Sequence, residues 1–487
     1  MSIHTNTKQF KLYSILFLVG LMGIAASLMT SNFLLALAIV CLPFLFITGY
    51  LVLCYPLILF LLTFTINYYL MGLTRYANLS GISFLMDSLM AATLVIILIH
   101  TALFKNIEWK FGLNALTIGS FVWMIYCLAE IGNPTGMLEA WILSRGLIFN
   151  GFLISLIVSL VCVRYQTVKQ IVFLLSIFTM TAVLKAIMQK YWGFDSGEQQ
   201  WLNEGSNAST HLLATGTRYF SFFTDAGNFG SNMGCAGVLF AIAASAVKQK
   251  SLKIYYGLVA LAGFYAMFLS GTRGAIIVPI GGFALYLVLS KNIKTMMAGG
   301  LVLLFIYIFF AFTSIGQNNQ QIRRMRTAFN PSADGSFNVR RENQKLLGEY
   351  LKNRPLGEGI GLSGVENQKM SHRFTTSIPH DSWYVKIWVE TGIVGVTLYL
   401  SFLAIVIMRS AYLIMFRIRD LELKGLLSGM LCGITGMLLS AYGNAFWGQF
   451  PTYIIAFTGL SLVLKGEYFD RKIKESHEQV ELNNEKI

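Results

Sequence analysis

The chain has 487 residues, 55% of them hydrophobic and only 12% charged, with mean hydropathy +0.62 and formal net charge +14. So little charge cannot cover the surface of a soluble protein this long, and the alternating pattern of an outer-membrane barrel is missing. The basic residues sit scattered in short loops, which argues for cytoplasmic turns of a membrane protein and against a nucleic-acid partner.

Apolar runs of about 20 residues recur along the chain, each long enough to span a bilayer as a helix. They predict an all-α polytopic membrane protein of about fourteen spans, within a range of 12–14. The runs lie near 12–30, 33–48, 51–71, 82–103, 113–131, 141–163, 168–190, 228–247, 252–270, 272–290, 295–315, 387–408, 424–443 and 446–464. The first lacks a small-residue cleavage site and is expected to stay as a helix. Those at 33–48 and 51–71 are nearly continuous. Cys41, Cys54, Cys127, Cys162, Cys235 and Cys432 all fall inside apolar runs without metal-ligand spacing, so free, buried thiols are expected.

Orientation follows from Lys and Arg in the short turns. Lys8 and Lys11 precede the first span. Lys105 and Lys110, Arg164 and Lys169, Lys248 to Lys253, Lys291 and Lys294, and Arg409 to Lys424 mark later turns, and Lys465 to Lys474 end the chain. With fourteen spans every cluster falls on one side, which places both termini in the cytoplasm of an inner-membrane protein. Two longer loops then lie outside, from about Tyr191 to Gly227 and from about Gly316 to Trp383. The second carries ten Lys and Arg against six Asp and Glu, a net +4. A long positive outer loop suits anionic lipid or an anionic substrate. Within it, Arg340 to Asn353 reads as a helix with Leu346, Leu347, Tyr350 and Leu351 on one face. Pro355 and a Gly-rich turn follow. The charged tail from Lys465 is expected to fray.

Four polar features gather at outer ends. They are Arg218 in TGTRYFSFFTDAGNFGSN, Arg273 in SGTRGA, His380 in IPHDSWYVKIWVETGIVGV, and the basic run Arg323, Arg324, Arg326, Arg340 and Arg341. Taken singly, each has a plain structural reading. A span-end arginine snorkels to head groups, a lone histidine beside aromatics is usually structural, and glycines such as Gly429 and Gly433 let helices pack closely. Asp87, Glu130 and Lys185 are charges in or near spans and count as functional candidates by default. Taken together, the two arginines and the histidine can converge only if the topology puts all three outside, and it does. Guanidinium forks suit phosphate, and a neutral imidazole accepts a hydroxyl proton near pH 7. The set suits attack of a hydroxyl on a carbon bearing a diphosphate leaving group.

LSGTRGAIIVPIGGFALYLVL, RRENQKLLGEYLKNRPLGEGIGL and PHDSWYVKIWVETGIVGVTLYL occur in that order around one large outer loop. In this the chain resembles the O-antigen ligase and polymerase superfamily of bacterial envelope glycosyltransferases. TRYFSFFTDAGNFGSNMG is similar to that superfamily's upstream arginine segment, with Gly227-Asn228 where a Pro-Asn pair is common. The resemblance runs from about Arg218 to Leu464. It implies a metal-independent, inverting glycosyl transfer on the periplasmic face, from a glycan on undecaprenyl diphosphate to a hydroxyl. The implied regions are 1–217, N-terminal spans with the first outer loop; 218–464, the catalytic region with loop 316–383; and 465–487, a cytoplasmic tail. No Walker loop, His/Cys cluster or paired acidic motif accompanies them, so no cofactor or metal is expected.

The resemblance assigns roles residue by residue. His380 would be the base, while Arg218 and Arg273 hold the departing diphosphate. Arg340 and Arg341 would orient diphosphate or acceptor. Asp381 and Glu390 would orient His380. Trp383 and Tyr384 would stack on sugars or anchor at the interface. The first expectation for the acceptor is lipid A–core, as in an O-antigen ligase. Another lipid-linked repeat (a polymerase) and a protein hydroxyl (an oligosaccharyltransferase) are the alternatives. Membrane lipids are the remaining partners. A transporter of the same glycan is the reading from a different class, but it would place ionisable residues mid-span rather than at outer ends.

Overall fold

The computed structural model describes residues 48–76, 82–205, 207–213, 216–318, 320–329 and 335–484. The expected span 12–30, all but the last residue of 33–48, and Cys41 lie outside them.

The helices that follow carry the architecture: α1 Pro56–Leu73, α2 Ile82–Phe104, α3 Ala115–Ala129, α4 Arg145–Val161, α5 Tyr165–Tyr191, α6 Ala226–Ala246, α7 Lys250–Leu269, α8 Ile277–Ser290, α9 Ile293–Phe312, α10 Gly335–Leu351, α11 Trp383–Phe416, α12 Leu421–Ser440, α13 Thr452–Leu464 and α14 Gly466–Asn484. Among the described residues ten helices are long and apolar enough to cross a membrane, and α13 and the stretch Gly299–Phe312 of α9 are shorter apolar helices. These account for the twelve expected spans from 51–71 onward. The protein is an all-α polytopic membrane protein. Among the described residues the one pair of short strands, Leu212–Leu213 and Gly216–Thr217, is antiparallel.

Among the described residues the chain separates into a small unit, within 48–61 and 92–107, and a large one, within 62–91 and 108–484. In the small unit His100 is buried, with Nδ1 2.6 Å from Leu53 O and Nε2 2.7 Å from Asn106 Oδ1.

The centre of the large unit is α6 and α12, each 78% buried over its apolar window. Both are rich in small residues, so their backbones approach closely, as lipid-embedded helices do when packing replaces the hydrophobic effect. A side chain on Gly429 would meet Leu239 O at 2.7 Å, and one on Gly433 would meet Cys235 O at 2.9 Å. Among the described cysteines all are free, and all but the partly buried Cys54 are buried.

The turns are closed by local chemistry. Asn114 Oδ1 accepts the N–H groups of Leu116 and Thr117 to start α3, and Asp420 Oδ1 accepts that of Leu423 to start α12. Lys169 meets Glu422 at 3.1 Å, Arg417 Nε meets Glu467 at 3.2 Å, and Lys465 Nζ donates to Ser159 O at 2.6 Å. These contacts gather the α4–α5, α11–α12 and α13–α14 turns at one basic end of the bundle. The opposite end carries the two long loops.

Two expectations need correcting. The span predicted at 446–464 is helical only from Thr452; before it, Phe446 and Trp447 are fully buried in irregular chain. Non-helical backbone is tolerated at such depth when protein groups satisfy it, and Asn228 Nδ2 donates to Phe450 O at 3.1 Å. Through Asn484 the tail is helical and not frayed. It forms α14, because Phe469 is fully buried and Asp470 Oδ1 accepts the N–H groups of Arg419 and Asp420 at 2.9 and 2.7 Å.

Candidate active site

The segment that carries Arg218 is held from below by a polar scaffold. Gln189 Oε1 accepts the N–H groups of Phe220 and Ser221 at 3.3 and 3.0 Å, and Gln189 Nε2 donates to Glu198 at 2.8 Å. Arg75 donates to Ser221 O at 2.6 Å and to Phe223 O, and its guanidinium stacks on Trp201 and Phe220. Lys185, a functional candidate as a charge in or near a span, bridges Asp195 and Glu198 at 2.7 and 2.9 Å. Asp87 pairs with Arg145, and Glu130 accepts from Asn133 at 2.8 Å. These three charges therefore serve the fold.

On this scaffold Arg218 Nη1 donates to Thr210 O at 3.0 Å and Nη2 to Thr272 Oγ1 at 2.9 Å. Thr272 in turn donates to Ala226 O at 2.9 Å, so one hydroxyl ties Arg218 to the start of α6 and to the turn that bears Arg273. Burial lowers the pKa of the Arg218 guanidinium from its ordinary value; Asp225 opposes this, and the charges of Arg273 and Arg340 add to it. Three arginines from distant parts of the chain thus share one field. Arg273 lies in the turn Arg273–Ile276 and donates to Thr327 Oγ1 at 3.3 Å.

The basic run divides. Arg326 donates to the carbonyls of Phe310 and Thr313 at the end of α9 and of Ile315 just beyond it, which is a helix cap and not a substrate group. Arg324 approaches Gly271 beside Arg218, whereas Arg323 is exposed. Arg340 lies at the cluster, with Nε 3.7 Å from Asp381 Oδ2, and its neighbour Arg341 is exposed. The periodic face of α10 sets this placement: Leu347 and Leu351 pack on Ile378, Val385 and Val389.

His380 is buried. Its Nε2 stands 3.4 Å from Glu366 Oε1, while Nδ1 is enclosed with no hydrogen-bond partner among the described residues. Gly364, at φ +77°, presses on that nitrogen; a side chain there would strike the imidazole. Burial, aided by the Lys386 charge and opposed by Asp381, pushes the His380 pKa down to about 3, so the ring is neutral at neutral pH. Nε2 is the nitrogen left facing a half-exposed carboxylate.

Expected partners of His380 take other positions. Asp381 sits next to it in sequence but reaches toward Arg340. Glu390 is fully buried and accepts from Ser363 Oγ at 2.7 Å, with Lys386 at 3.6 Å. It anchors the Gly-rich turn, whose Glu358 and Gly359 N–H groups donate to Val389 O and Glu390 O at 2.9 and 3.1 Å. Glu390 thus fastens the turn that also carries Ser363 and Gly364. Gly392, at φ +65°, breaks α11 just beyond and lets Pro355 O reach Val394 N at 3.3 Å. Trp383 is 3% exposed and donates to Tyr399 at 3.2 Å, and Tyr384 donates to Leu438 O at 2.6 Å. The Trp383 ring has no open face for a sugar. Glu366, the carboxylate nearest His380, carried no signal in the sequence, since it lies in an aperiodic loop.

Fold and site define a polytopic α-helical membrane protein with an arginine cluster and a neutral histidine at one end of its bundle. Residues 258–400 match the family described as O-antigen ligase, a stretch that includes Arg273, Arg340, Glu366 and His380 and leaves out Arg218. An O-antigen polymerase of Salmonella muenchen is 28% identical over 250 residues, 49% of this chain. The matched stretch spans 59% of that relative's length. The resemblance to the O-antigen ligase and polymerase superfamily holds.

Proposed function

We propose that the chain is an inverting glycosyltransferase, with residues 218–464 as its catalytic region, that moves a glycan from undecaprenyl diphosphate to a hydroxyl on the periplasmic face. The observation that carries this reading is the charge field that Arg218 shares with Arg273 and Arg340, together with a buried, neutral His380 whose chain neighbour Asp381 lies 3.7 Å from Arg340. Excess positive charge favours an anion, and guanidinium groups hold diphosphate oxygens bidentately. The acceptor oxygen attacks the anomeric carbon from the side opposite the diphosphate. The new carbon–oxygen bond forms as the bond to the phosphate oxygen breaks, so configuration inverts. His380 Nε2 takes the hydroxyl proton, and Glu366 steadies the imidazolium. Undecaprenyl diphosphate leaves with the electron pair, its charge met by the arginines. The basic opposite end of the bundle supports placing this site outside the cytoplasm of the inner membrane.

Two acceptors divide the reading. The matched family's description favours lipid A–core as the acceptor; the Salmonella relative's name favours another lipid-linked repeat. A strain lacking the chain, examined for envelope polysaccharide on gels, separates them. Bare core with intact lipid-linked polymer marks a ligase, and single-repeat products mark a polymerase. Unaltered polysaccharide in that strain refutes both.

A further inference from the structure

At the basic end of the bundle, opposite Arg218, lies a cavity of about 610 Å³. Six basic side chains line it, Lys110, Arg417, Arg419, Lys465, Arg471 and Lys474, against the acidic Glu467 and Asp470. Asp470 Oδ1 accepts two backbone N–H groups of the α11–α12 turn, and its charge offsets one of the six cations. Glu467 faces Arg417. Lys110, Arg471 and Lys474 have partners on their own segments, Glu108, Glu475 and Glu478, and such exposed pairs hold weakly. Among the described residues no carboxylate pairs with the Arg419 guanidinium. Lys465 forms the floor. It is 8% exposed, its Nζ is fixed on Ser159 O, and the ammonium lies 4.1 Å from the centre of the Phe111 ring.

The cavity also sits at the right depth. The helix ends at Ala115, Phe416 and Leu464 all meet beside it, so its mouth opens where spans leave the membrane. Phe111, Leu113, Phe416 and Leu464 give it an apolar wall next to the basic one. A soluble phosphate has no use for that wall, whereas a lipid uses both.

We propose that this cavity binds the phosphate headgroup of an anionic phospholipid from the adjoining leaflet, with the glycerol backbone against the apolar wall. Basic pockets at the ends of transmembrane helices attract such headgroups, and each cation near the surface strengthens the attraction several-fold. The lipid would also hold α14, which supplies Arg471 and Lys474, against the bundle.

Native mass spectrometry of the purified full chain in detergent, with phosphatidylglycerol or phosphatidylcholine added, tests this. Phosphatidylglycerol is expected to be retained about tenfold more than phosphatidylcholine, and R419Q/R471Q is expected to remove most of that preference. Should that variant fail to accumulate, K474Q on the exposed rim shows the same direction at smaller size. Equal retention of the two lipids by the unaltered chain overturns the proposal, as does full preference in the variants. Complete displacement by excess inorganic phosphate overturns it too, since it marks a soluble phosphate ligand.

Discussion

His380 Nε2 faces Glu366 Oε1 across 3.4 Å, while Gly364 closes off the other ring nitrogen. The loop thus supplies both the carboxylate that favours an imidazolium and the wall that fixes which nitrogen takes the proton. Glu366 is a positioning residue on this account. A hydrogen bond to a charged group is worth about 1.5–3 kcal/mol, and a half-exposed carboxylate belongs at the low end. Glu366→Gln should slow transfer about tenfold with donor KM unchanged. Glu366→Asp should recover part of the loss. A rate equal to the unaltered chain for Glu366→Gln contradicts this role.

Gly364→Ala should be more damaging than its size suggests. At φ +77° and ψ 154° the backbone is nearly confined to glycine and costs a side chain about 1–3 kcal/mol, and the new methyl displaces the imidazole. A displacement near 1 Å typically costs about 100-fold in rate. Transfer should fall by that order while membrane levels of the protein stay near normal.

The pH response follows from burial of His380. Its pKa lies near 3 in the folded chain, against an ordinary 6.5. In the free protein the base stays neutral well below pH 6, so kcat/KM should remain level from about pH 8 to about pH 5. The stability consequence has the opposite look. Between pH 6.5 and 3 the unfolded chain binds the proton that the folded chain refuses, so this residue lowers stability as pH falls through that window. His380→Gln should remove that part of the acid sensitivity. An acid limb of kcat/KM centred near 6.5 contradicts the buried, neutral base.

The large loop is tied down at Glu358. This carboxylate is 3% exposed and meets Arg354, Arg373 at 2.8 Å and Tyr350 at 3.1 Å; Arg373 also donates to Thr135 O. Glu358→Ala strands two cations and should cost roughly 2–3 kcal/mol locally. Limited proteolysis should then cut between residues 352 and 374, where the unaltered chain resists.

The spans from 51–71 onward were legible because hydropathy reports length and apolarity directly. Where hydropathy misled, a few residues explain why. Phe446 and Trp447 are as apolar as a span, but Gly443, Gly448 and Pro451 keep that stretch out of a helix. The tail is charged, yet one buried Phe469 and one carboxylate are enough to dock it. At the candidate site, Arg218, Arg273 and His380 are the residues that motif and topology single out. Arg326 could not be separated from them, since a helix cap and a phosphate ligand use the same guanidinium. Glu366 was invisible because nothing in an irregular loop tells which side chain will fold onto a histidine fourteen positions away. Trp383 looked like an interfacial ring because it opens a span, but the bundle encloses it.

Transfer by the purified chain in lipid vesicles, from a polyprenyl-diphosphate-linked glycan under single-turnover conditions, is the most direct measurement. With His380→Ala the rate should fall at least about 100-fold while the labelled donor binds as before, and Arg218→Gln should weaken that binding instead. Turnover by His380→Ala close to that of the unaltered chain contradicts the account.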